Sequence, residues 1–350
     1  MQLAPAPYFK DPKSLCPDTP PPDGQAFWIH TGDKRRCRLG LWRTKTPKGT
    51  IIIFPGRTEY IEKYASIAAD FAARDYHTVA IDWRGQGLAD RALPDRLKGH
   101  VADFAEYQQD RAALIAAMTA LALPKPWSLL AHSMGGCIGL RALHEGLPVQ
   151  SVVFSGPMWG IEMHPLRRMG AWTVSTLAHW LKSGALYAPG TSGAPYLLNV
   201  AFENNQLTND RASFDHMKAQ LQRNPSFGLG GPTLGWLNAS LNEMHRLSKL
   251  PSPELPCLTY LGSDEQIVDS RAIVRRMAGW AQGRLITLPS TRHEALMEAT
   301  ALRLSRTDEI TAFFTKTPSA DTKATLQSSE QRLSRKGHQT RDGQNRTEGA

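Results

Sequence analysis

One serine of this sequence lies where its hydroxyl could act as a nucleophile. Ser133 belongs to the stretch LAHSMGG (residues 130–136), between an apolar run and a segment with helical spacing. The small residues Ala131 and Gly135 would let a strand and a helix approach closely around it, so that a sharp turn exposes the hydroxyl. This is the G-x-S-x-G pattern with alanine in first place. It predicts Ser133 as the nucleophile of a hydrolase, although a serine that only caps a helix would also fit.

A nucleophilic serine needs a base, and the base needs an acid that orients it; here they are expected in the order serine, acid, histidine. His293 follows the last predicted strand, and of the eleven histidines it alone has this placement. Asp264 occupies the loop after the preceding strand and is the predicted acid. Glu265 and Asp269 are competing acids, with Asp269 ranked lower because it opens or lies within the next predicted helix.

Acyl transfer also requires backbone N–H groups that bind the oxyanion of the tetrahedral intermediate. The residue after the nucleophile, Met134, is expected to supply one donor. The second is expected from the loop PGRTE (residues 55–59), where Gly56 allows a close turn and the N–H of Arg57 is the candidate. A plain strand-to-helix turn is the alternative for this loop. The chemistry needs neither a metal nor a cofactor.

The elements around these residues alternate between strand and helix patterns. The run at 50–54, which contains three isoleucines and ends at Pro55-Gly56, is typical of a strand buried on both faces. Such alternation predicts an α/β fold with a mostly parallel central sheet flanked by helices. Predicted strands are 27–30, 37–42 (with the first, a hairpin), 50–54, 78–81, 127–131, 152–154, 257–261 and 284–288; predicted helices are 60–74, 103–121, 134–145, 267–280 and 299–314.

The alternation breaks after residue 156 and returns near 251. Residues 157–250 are rich in Trp, Met and Tyr and show no buried strand runs, which indicates a helical cap inserted into one sheet domain. We therefore divide the chain into an N-terminal extension (1–25), a first core part (26–156), the cap (157–250), a second core part (251–316) and a basic tail (317–350). The tail has few large apolar residues and is predicted to be disordered.

Composition excludes several classes of protein. The net charge is +9 over 350 residues, without the basic cluster or module that nucleic-acid binding requires. No apolar run approaches the length of a membrane-spanning helix. The four cysteines are scattered and the N-terminus lacks a secretory pattern, so we expect a cytoplasmic protein, peripheral at the inner face of the membrane if the cap contacts lipid.

Four blocks in order resemble one branch of the α/β-hydrolases, which includes monoacylglycerol lipases, bacterial lysophospholipases and serine-aminopeptidase-like hydrolases. They cover roughly residues 26–316, and one position departs from the family pattern, since Pro55 replaces a usual histidine. The resemblance implies the α/β-hydrolase fold and a helical cap that covers the site and forms an acyl-chain pocket. The blocks are GRTE with KY (56–59, 63–64), DWRGQG (82–87), AHSMGG (131–136) and GSDEQIV (262–268) with His293.

The expected activity is hydrolysis of a lipid carboxylic ester, a lysophospholipid or a monoacylglycerol, through an acyl-enzyme. An aminopeptidase would need an acid for the substrate ammonium, for which Glu162, Glu203 and Asp215 remain open. A catalytically silent binding protein is a further alternative. A dehalogenase or epoxide hydrolase would have aspartate at position 133.

The first predicted cap helix raises a separate question about partners. Residues 166–187 carry apolar side chains with basic residues at both ends, including Arg167, Arg168 and Lys182. This composition suits peripheral contact with a lipid surface, but a helix that packs its apolar side on the core is the favoured alternative, because a cap helix must bury one face.

Overall fold

A single sheet of nine strands crosses the protein, whose computed structural model describes residues 3–10 and 24–316. In chain order the strands are β1 (Ala4–Pro5), β2 (Gln25–His30), β3 (Arg36–Trp42), β4 (Gly49–Phe54), β5 (Tyr76–Asp82), β6 (Trp127–His132), β7 (Val152–Ser155), β8 (Cys257–Gly262) and β9 (Gly283–Leu288). Across the sheet they lie in the order β1-β2-β3-β5-β4-β6-β7-β8-β9. The pairs from β1 through β3 to β5 are antiparallel, and all pairs from β5 to β9 are parallel.

The apolar runs of the sequence become the inner strands of this sheet. Every residue of β4, β5, β6, β7 and β8 is buried, because helices cover both faces of a parallel sheet. The edge strand β9 instead contains only partly covered and exposed residues. The predicted fold class, a mostly parallel sheet flanked by helices, is confirmed.

Nine α-helices accompany the sheet within the described residues. They are α1 (Ala65–Ala72), α2 (Glu106–Ala120), α3 (Met134–His144), α4 (Pro165–Trp180), α5 (Tyr196–Asn199), α6 (Arg211–Arg223), α7 (Leu234–Ser248), α8 (Ser270–Ala278) and α9 (Thr300–Lys316). One apolar core joins the sheet to α2, α3, α7 and α8, and a second joins the other face to α1 and α9.

The segment between β7 and β8 contains helices α4 to α7 and, within the described part of the chain, no strand of the sheet. These helices differ in how they pack. Helix α7 buries ten of its residues, whereas α4 buries only Ser175 and Ala178. The tail at 317–350 and most of the predicted N-terminal extension lie outside the described residues.

The predicted functional residues all follow the carboxyl ends of parallel strands. The loops after β4, β6, β8 and β9 carry Arg57, Ser133, Asp264 and His293 respectively. Strand β4 lies between β5 and β6, so the chain reverses direction across the sheet there. Crevices at such reversal points, outside the carboxyl ends of the strands, are the usual ligand sites of open α/β sheets.

Candidate active site

Ser133 lies on a strained turn between β6 and α3. Its backbone has φ 50° and ψ −118°, a conformation that residues with a side chain rarely adopt. The turn is held at the serine carbonyl, which accepts from the amides of Gly136 and Met158 at 2.8 Å each. Gly135 is required by the close approach of strand and helix, since a Cβ there would lie 2.0 Å from the carbonyl oxygen of Phe54.

His293 is held by Glu265, not by the predicted Asp264. The Nδ1 atom of His293 lies 2.7 Å from Oε2 of Glu265, and both side chains are almost completely buried. A carboxylate only accepts, so Nδ1 carries the proton and Nε2 is left with a lone pair. The expectation that Asp264 orients His293 is therefore wrong.

The two other acids have different partners. Asp264 is exposed and accepts from Ser263 Oγ at 2.8 Å and from Asn209 Nδ2 at 3.4 Å. Asp269 caps α8 by accepting from the amides of the first turn, and it pairs with Arg168 at 3.0 Å. Neither carboxylate is free to orient His293.

The loop after β4 leaves one backbone donor available next to the serine. Gln86 brackets Arg57, because its side chain donates to the carbonyl of Gly56 at 2.9 Å and accepts from the amide of Thr58 at 3.0 Å. The amide of Gly56 donates to Glu59. Among the described residues the amide of Arg57 has no such partner. Met134 is the first residue of α3, so its N–H also has no intrahelical acceptor.

A buried charge cluster, which the sequence did not reveal as a unit, lies beneath these loops. Lys63 donates to Glu59 and, at 2.5 Å, to Glu294. The Nε2 atom of His132 lies 3.4 Å from Glu294 and 3.6 Å from Glu59. The geometry of Glu59, His132 and Glu294 would allow cation binding, but the ammonium of Lys63 already contacts both carboxylates. One feature of the sequence could have indicated the cluster: each of its members lies in or next to a motif that carries a predicted site residue.

Electrostatics within this cluster favour charged groups. Burial lowers the pKa of His132, but Glu294 and Glu59 outweigh burial and raise the pKa above its ordinary value. Burial raises the pKa of Glu294, but the positive charges of Lys63 and His132 outweigh burial and hold this pKa well below its usual range. The Nδ1–H of His132 donates to the carbonyl of Ser155 at 2.9 Å, so Nε2 faces the carboxylates.

Ser133 and His293 line one cavity of about 270 Å³. A larger cavity of about 1120 Å³ lies elsewhere, between α4 and the start of α8, and contains neither residue. We place the candidate site in the smaller cavity because the nucleophile and base candidates meet there. The predicted roles of Ser133, His293, Arg57 and Met134 remain predictions.

Comparison with known proteins agrees with this architecture. A profile of the family described as serine aminopeptidase, S33, matches residues 45–300. A probable lysophospholipase L2 from Haemophilus influenzae is 32% identical over 277 residues, which cover 77% of this chain and 86% of that protein. Lysophospholipase L2 from Escherichia coli K12 is 30% identical over 291 residues, covering 79% and 83%.

Solved structures share the fold at low sequence identity. A soluble variant of monoglyceride lipase from Saccharomyces cerevisiae, in complex with a substrate analogue, has a TM-score of 0.66 at 17% identity and covers 88% of this chain and 98% of that one. A carboxyl esterase from Bacillus coagulans has a TM-score of 0.66 at 14% identity, covering 84% and 98%. The resemblance seen in the sequence is confirmed, and the chain belongs to the serine aminopeptidase (S33) family of α/β-hydrolases.

Proposed function

We propose that this protein hydrolyses a lipid carboxylic ester, a lysophospholipid or a monoacylglycerol, through an acyl-enzyme on Ser133. One observation carries the proposal: a serine on a strained strand–helix turn shares a cavity with a histidine whose second nitrogen donates to a buried carboxylate. This arrangement activates a serine hydroxyl for attack on an acyl carbon. The relatives named lysophospholipase L2 support the substrate class.

The reaction divides into two displacements at the acyl carbon. Nε2 of His293 removes the proton of Ser133 as the oxygen attacks, and the resulting imidazolium is stabilised by Glu265. The same nitrogen then protonates the departing alcohol, leaving an ester on Ser133. A water molecule, deprotonated by Nε2, attacks that ester, and the proton returns to the serine as the fatty acid leaves.

Two backbone amides are proposed to bind the oxyanion in both steps. The amides of Met134 and Arg57 follow the adjacent strands β6 and β4, and Gln86 holds the loop on both sides of Arg57. Donors fixed before the reaction begins need no reorganisation as negative charge develops on the carbonyl oxygen.

An apolar wall supports an acyl chain as the part of the substrate that enters the cavity. Most of the wall comes from the segment between β7 and β8, which supports the proposal that this segment is a cap over the site. A mostly apolar lining with a few polar groups at the reacting end is typical of small-molecule sites. The apolar lining residues include Leu197, Leu207, Met217, Leu221, Leu229 and Ile267.

An aminopeptidase activity is less well supported by the same cavity. Binding a substrate ammonium requires a carboxylate without a partner, and the lining carboxylates Glu59 and Glu294 both contact Lys63. Glu203 and Asp215 pair with Arg211 and are mostly exposed, and Glu162 lines the other, larger cavity. None of the three acids left open by the sequence lines the Ser133 cavity.

We further propose that α4 contacts an anionic lipid surface. Its outward apolar side chains include Leu166, Met169 and Trp180, exposed by 69%, 68% and 78%. Exposed Arg167 and Lys182 lie at its two ends. Apolar residues flanked by bases suit the boundary between lipid head groups and acyl chains. No helix in the described ranges has the length and apolar character needed to cross a bilayer.

The proposed activity is tested by Ser133→Ala with a substrate panel. We expect loss of at least about 10⁴-fold in turnover of p-nitrophenyl butyrate, lysophosphatidylcholine and monoolein, with an unchanged melting temperature. Fluorophosphonate labelling should disappear in parallel. Labelling that persists at another serine, such as Ser155, would refute the assignment, and turnover of aminoacyl anilides alone would favour the peptidase.

A further inference from the structure

The side chain of Arg57 is a partly buried cation with few partners. Of its five N–H donors, the structure gives one a hydrogen bond, from Nη2 to the carbonyl of Gly230 at 2.8 Å. Its Nε atom is covered and has no hydrogen-bond partner. The guanidinium lies 5.2 Å from the ring centre of Trp236, and within the described residues no carboxylate lies within salt-bridge distance.

Two other buried arginines, Arg38 and Arg91, have more protein partners than Arg57. Arg38 pairs with Glu62 and Asp82 at 2.7 and 2.8 Å. Arg91 has no carboxylate against it, but it donates to three backbone carbonyls, two of them at 2.9 and 2.8 Å. Among the residues that the structure describes, Arg57 has no carboxylate partner and donates to one backbone carbonyl, that of Gly230.

An unsatisfied buried cation is costly, because the charge has lost water without gaining equivalent partners. Burial lowers the pKa of Arg57 to about 10, so the group still carries its charge at neutral pH. The protein gains nothing in stability from such a charge. Its retention is understandable if an anion completes its coordination.

Arg57 also differs from the other cations of the Ser133 cavity. It lines this cavity together with Lys63 and His132. Those two face the carboxylates Glu59 and Glu294, so the four charges balance when His132 is protonated. The positive charge that remains on the described lining is that of Arg57.

We propose that the guanidinium of Arg57 binds the phosphodiester of a lysophospholipid headgroup while the ester is held at Ser133. This inference rests on the proposed ester hydrolysis and selects between its two substrate classes, because a monoacylglycerol offers no anion. Guanidinium donors match phosphate oxygens in a planar, two-pronged geometry.

The position of Arg57 makes this contact compatible with the reaction. Its backbone amide is the proposed second oxyanion donor, so its side chain starts close to the reacting carbonyl. The phosphate of a lysophospholipid is separated from the ester only by the carbons of glycerol. One residue can therefore contact the acyl oxygen through its main chain and the leaving group through its side chain.

The test measures headgroup selectivity, defined as kcat/KM for lysophosphatidylcholine divided by kcat/KM for a monoacylglycerol with the same chain, both in neutral detergent micelles. We expect Arg57→Met to lower this ratio about 10- to 100-fold, the worth of one or two hydrogen bonds to a charged group. Arg57→Lys should restore part of it. Because the ratio cancels losses common to both substrates, a merely structural effect would not move it.

A second measurement uses competition for p-nitrophenyl butyrate hydrolysis. Glycerophosphocholine should inhibit the wild type and inhibit Arg57→Met at least 10-fold more weakly. Arg91→Met is the matched control, because it removes a buried guanidinium that does not line the cavity. Its headgroup selectivity and its inhibition by glycerophosphocholine should equal those of the wild type. Stronger inhibition by inorganic phosphate than by glycerophosphocholine would overturn the headgroup assignment.

The two proposals fail in different ways. Wild-type turnover of lysophosphatidylcholine, with a ratio unchanged in Arg57→Met, would refute the role of Arg57 alone. Turnover of p-nitrophenyl butyrate without turnover of either lipid would refute the proposed substrate class. If Arg57→Met does not fold, as judged by thermal unfolding, Arg57→Gln and Arg57→Lys supply the same comparison.

Discussion

The carboxylate of Glu265 makes three hydrogen bonds, and together they fix the position of His293. Oε1 accepts from the amides of Ile267 and Val268 at 2.7 and 3.2 Å, and Oε2 accepts from His293. Burial raises the pKa of Glu265, but these bonds outweigh burial, so the pKa lies below its ordinary value. The carboxylate therefore stays ionised at any pH at which the histidine is an effective base.

We predict that Glu265→Gln lowers kcat about 10³- to 10⁴-fold on p-nitrophenyl butyrate, because an amide cannot hold the required tautomer of His293. Asp264→Asn is the matched control in the neighbouring position, and its kcat should stay within about 2-fold of the wild type, since the Asp264 side chain is exposed. Steady-state kinetics with both variants, together with thermal unfolding, makes the comparison. The opposite ranking would restore Asp264 as the acid.

Sequence order alone cannot separate these two acids. They are adjacent in one loop after β8, and both satisfy the rule that places the acid between serine and histidine. The orientations of the two side chains are determined by contacts in the folded protein. The amide of Asp264 donates to the carbonyl of Thr291 at 3.0 Å, and the Asp264 carboxylate accepts from Ser263 Oγ. Such contacts depend on the loop after β9, more than twenty residues away.

At the scale of secondary-structure elements, continuous apolar runs gave the most accurate predictions of strand bounds. The apolar runs of β4, β6 and β8 were predicted within one or two residues, because a strand buried on both faces leaves a continuous apolar signal. The start of α8 was placed too early, at Ile267. The structure begins it at Ser270, since Val268 bridges to Ile161 and Asp269 is the cap.

Helix α4 shows that an apolar stripe in the sequence does not by itself determine whether that face of the helix is buried or exposed. Its spacing fits burial, and Trp172 packs against His245 of α7. Other contacts with α7 are polar, with Asn238 donating to Ser175 and Thr176, and most of the large apolar side chains of α4 are exposed. Arg168 is occupied by Asp269, so exposed Arg167 and Lys182 are the better test of a lipid contact.

We expect the double variant Arg167→Glu/Lys182→Glu to bind anionic vesicles at least 5-fold more weakly in co-sedimentation and to lose activity on vesicle-borne ester. Its activity on p-nitrophenyl butyrate should be retained. The wild-type preference for anionic over neutral vesicles should fall with salt, since screening shortens to about 3 Å at 1 M.

Arg35→Glu/Lys45→Glu is the matched control for that experiment, because it makes the same change in net charge at exposed positions outside α4. This control should bind vesicles like the wild type. Equal weakening by both double variants would show that overall charge, and not α4, governs attraction to lipid. If the α4 variant lost activity equally on vesicle-borne and soluble esters, α4 would have a structural role at the active site and no specific role in lipid binding.

At the scale of the whole molecule, the buried charge cluster joins three distant parts of the chain. Lys63 follows the β4 loop, His132 adjoins the serine turn, and Glu294 adjoins the base. The rings of His132 and His293 lie 4.8 Å apart. Any change in the charge of His132 is therefore felt by the fold and by the site together.

This cluster makes stability depend on pH in a defined direction. A histidine whose pKa is raised in the folded state stabilises that state fully below about pH 6.5, and the contribution is lost as pH rises through the folded pKa. A double-mutant cycle of His132→Gln and Glu294→Gln should give a coupling energy of about 1–3 kcal/mol below pH 6.5 that declines toward pH 9. Urea unfolding across this range measures it.

A coupling energy that is constant over the range, or that grows with pH, would show that His132 is neutral in the folded protein. In that case its Nε2 would be a buried acceptor facing two carboxylates, which the geometry does not favour. The cluster was not predictable from spacing, because the contacting residues Lys63 and Glu294 are 231 residues apart in the sequence.

That separation has a consequence for synthesis on the ribosome. Lys63 can pair early with Glu59, which lies four residues before it, but its second partner, Glu294, leaves the ribosome more than two hundred residues later. Domains generally fold as units, and the strands that precede Glu265 and His293 belong to the same sheet as β4. The loop after β4 therefore reaches its final contacts only when the last part of the domain has been made. A nascent chain would thus carry its serine long before it could hydrolyse the lipids of the cell that is making it.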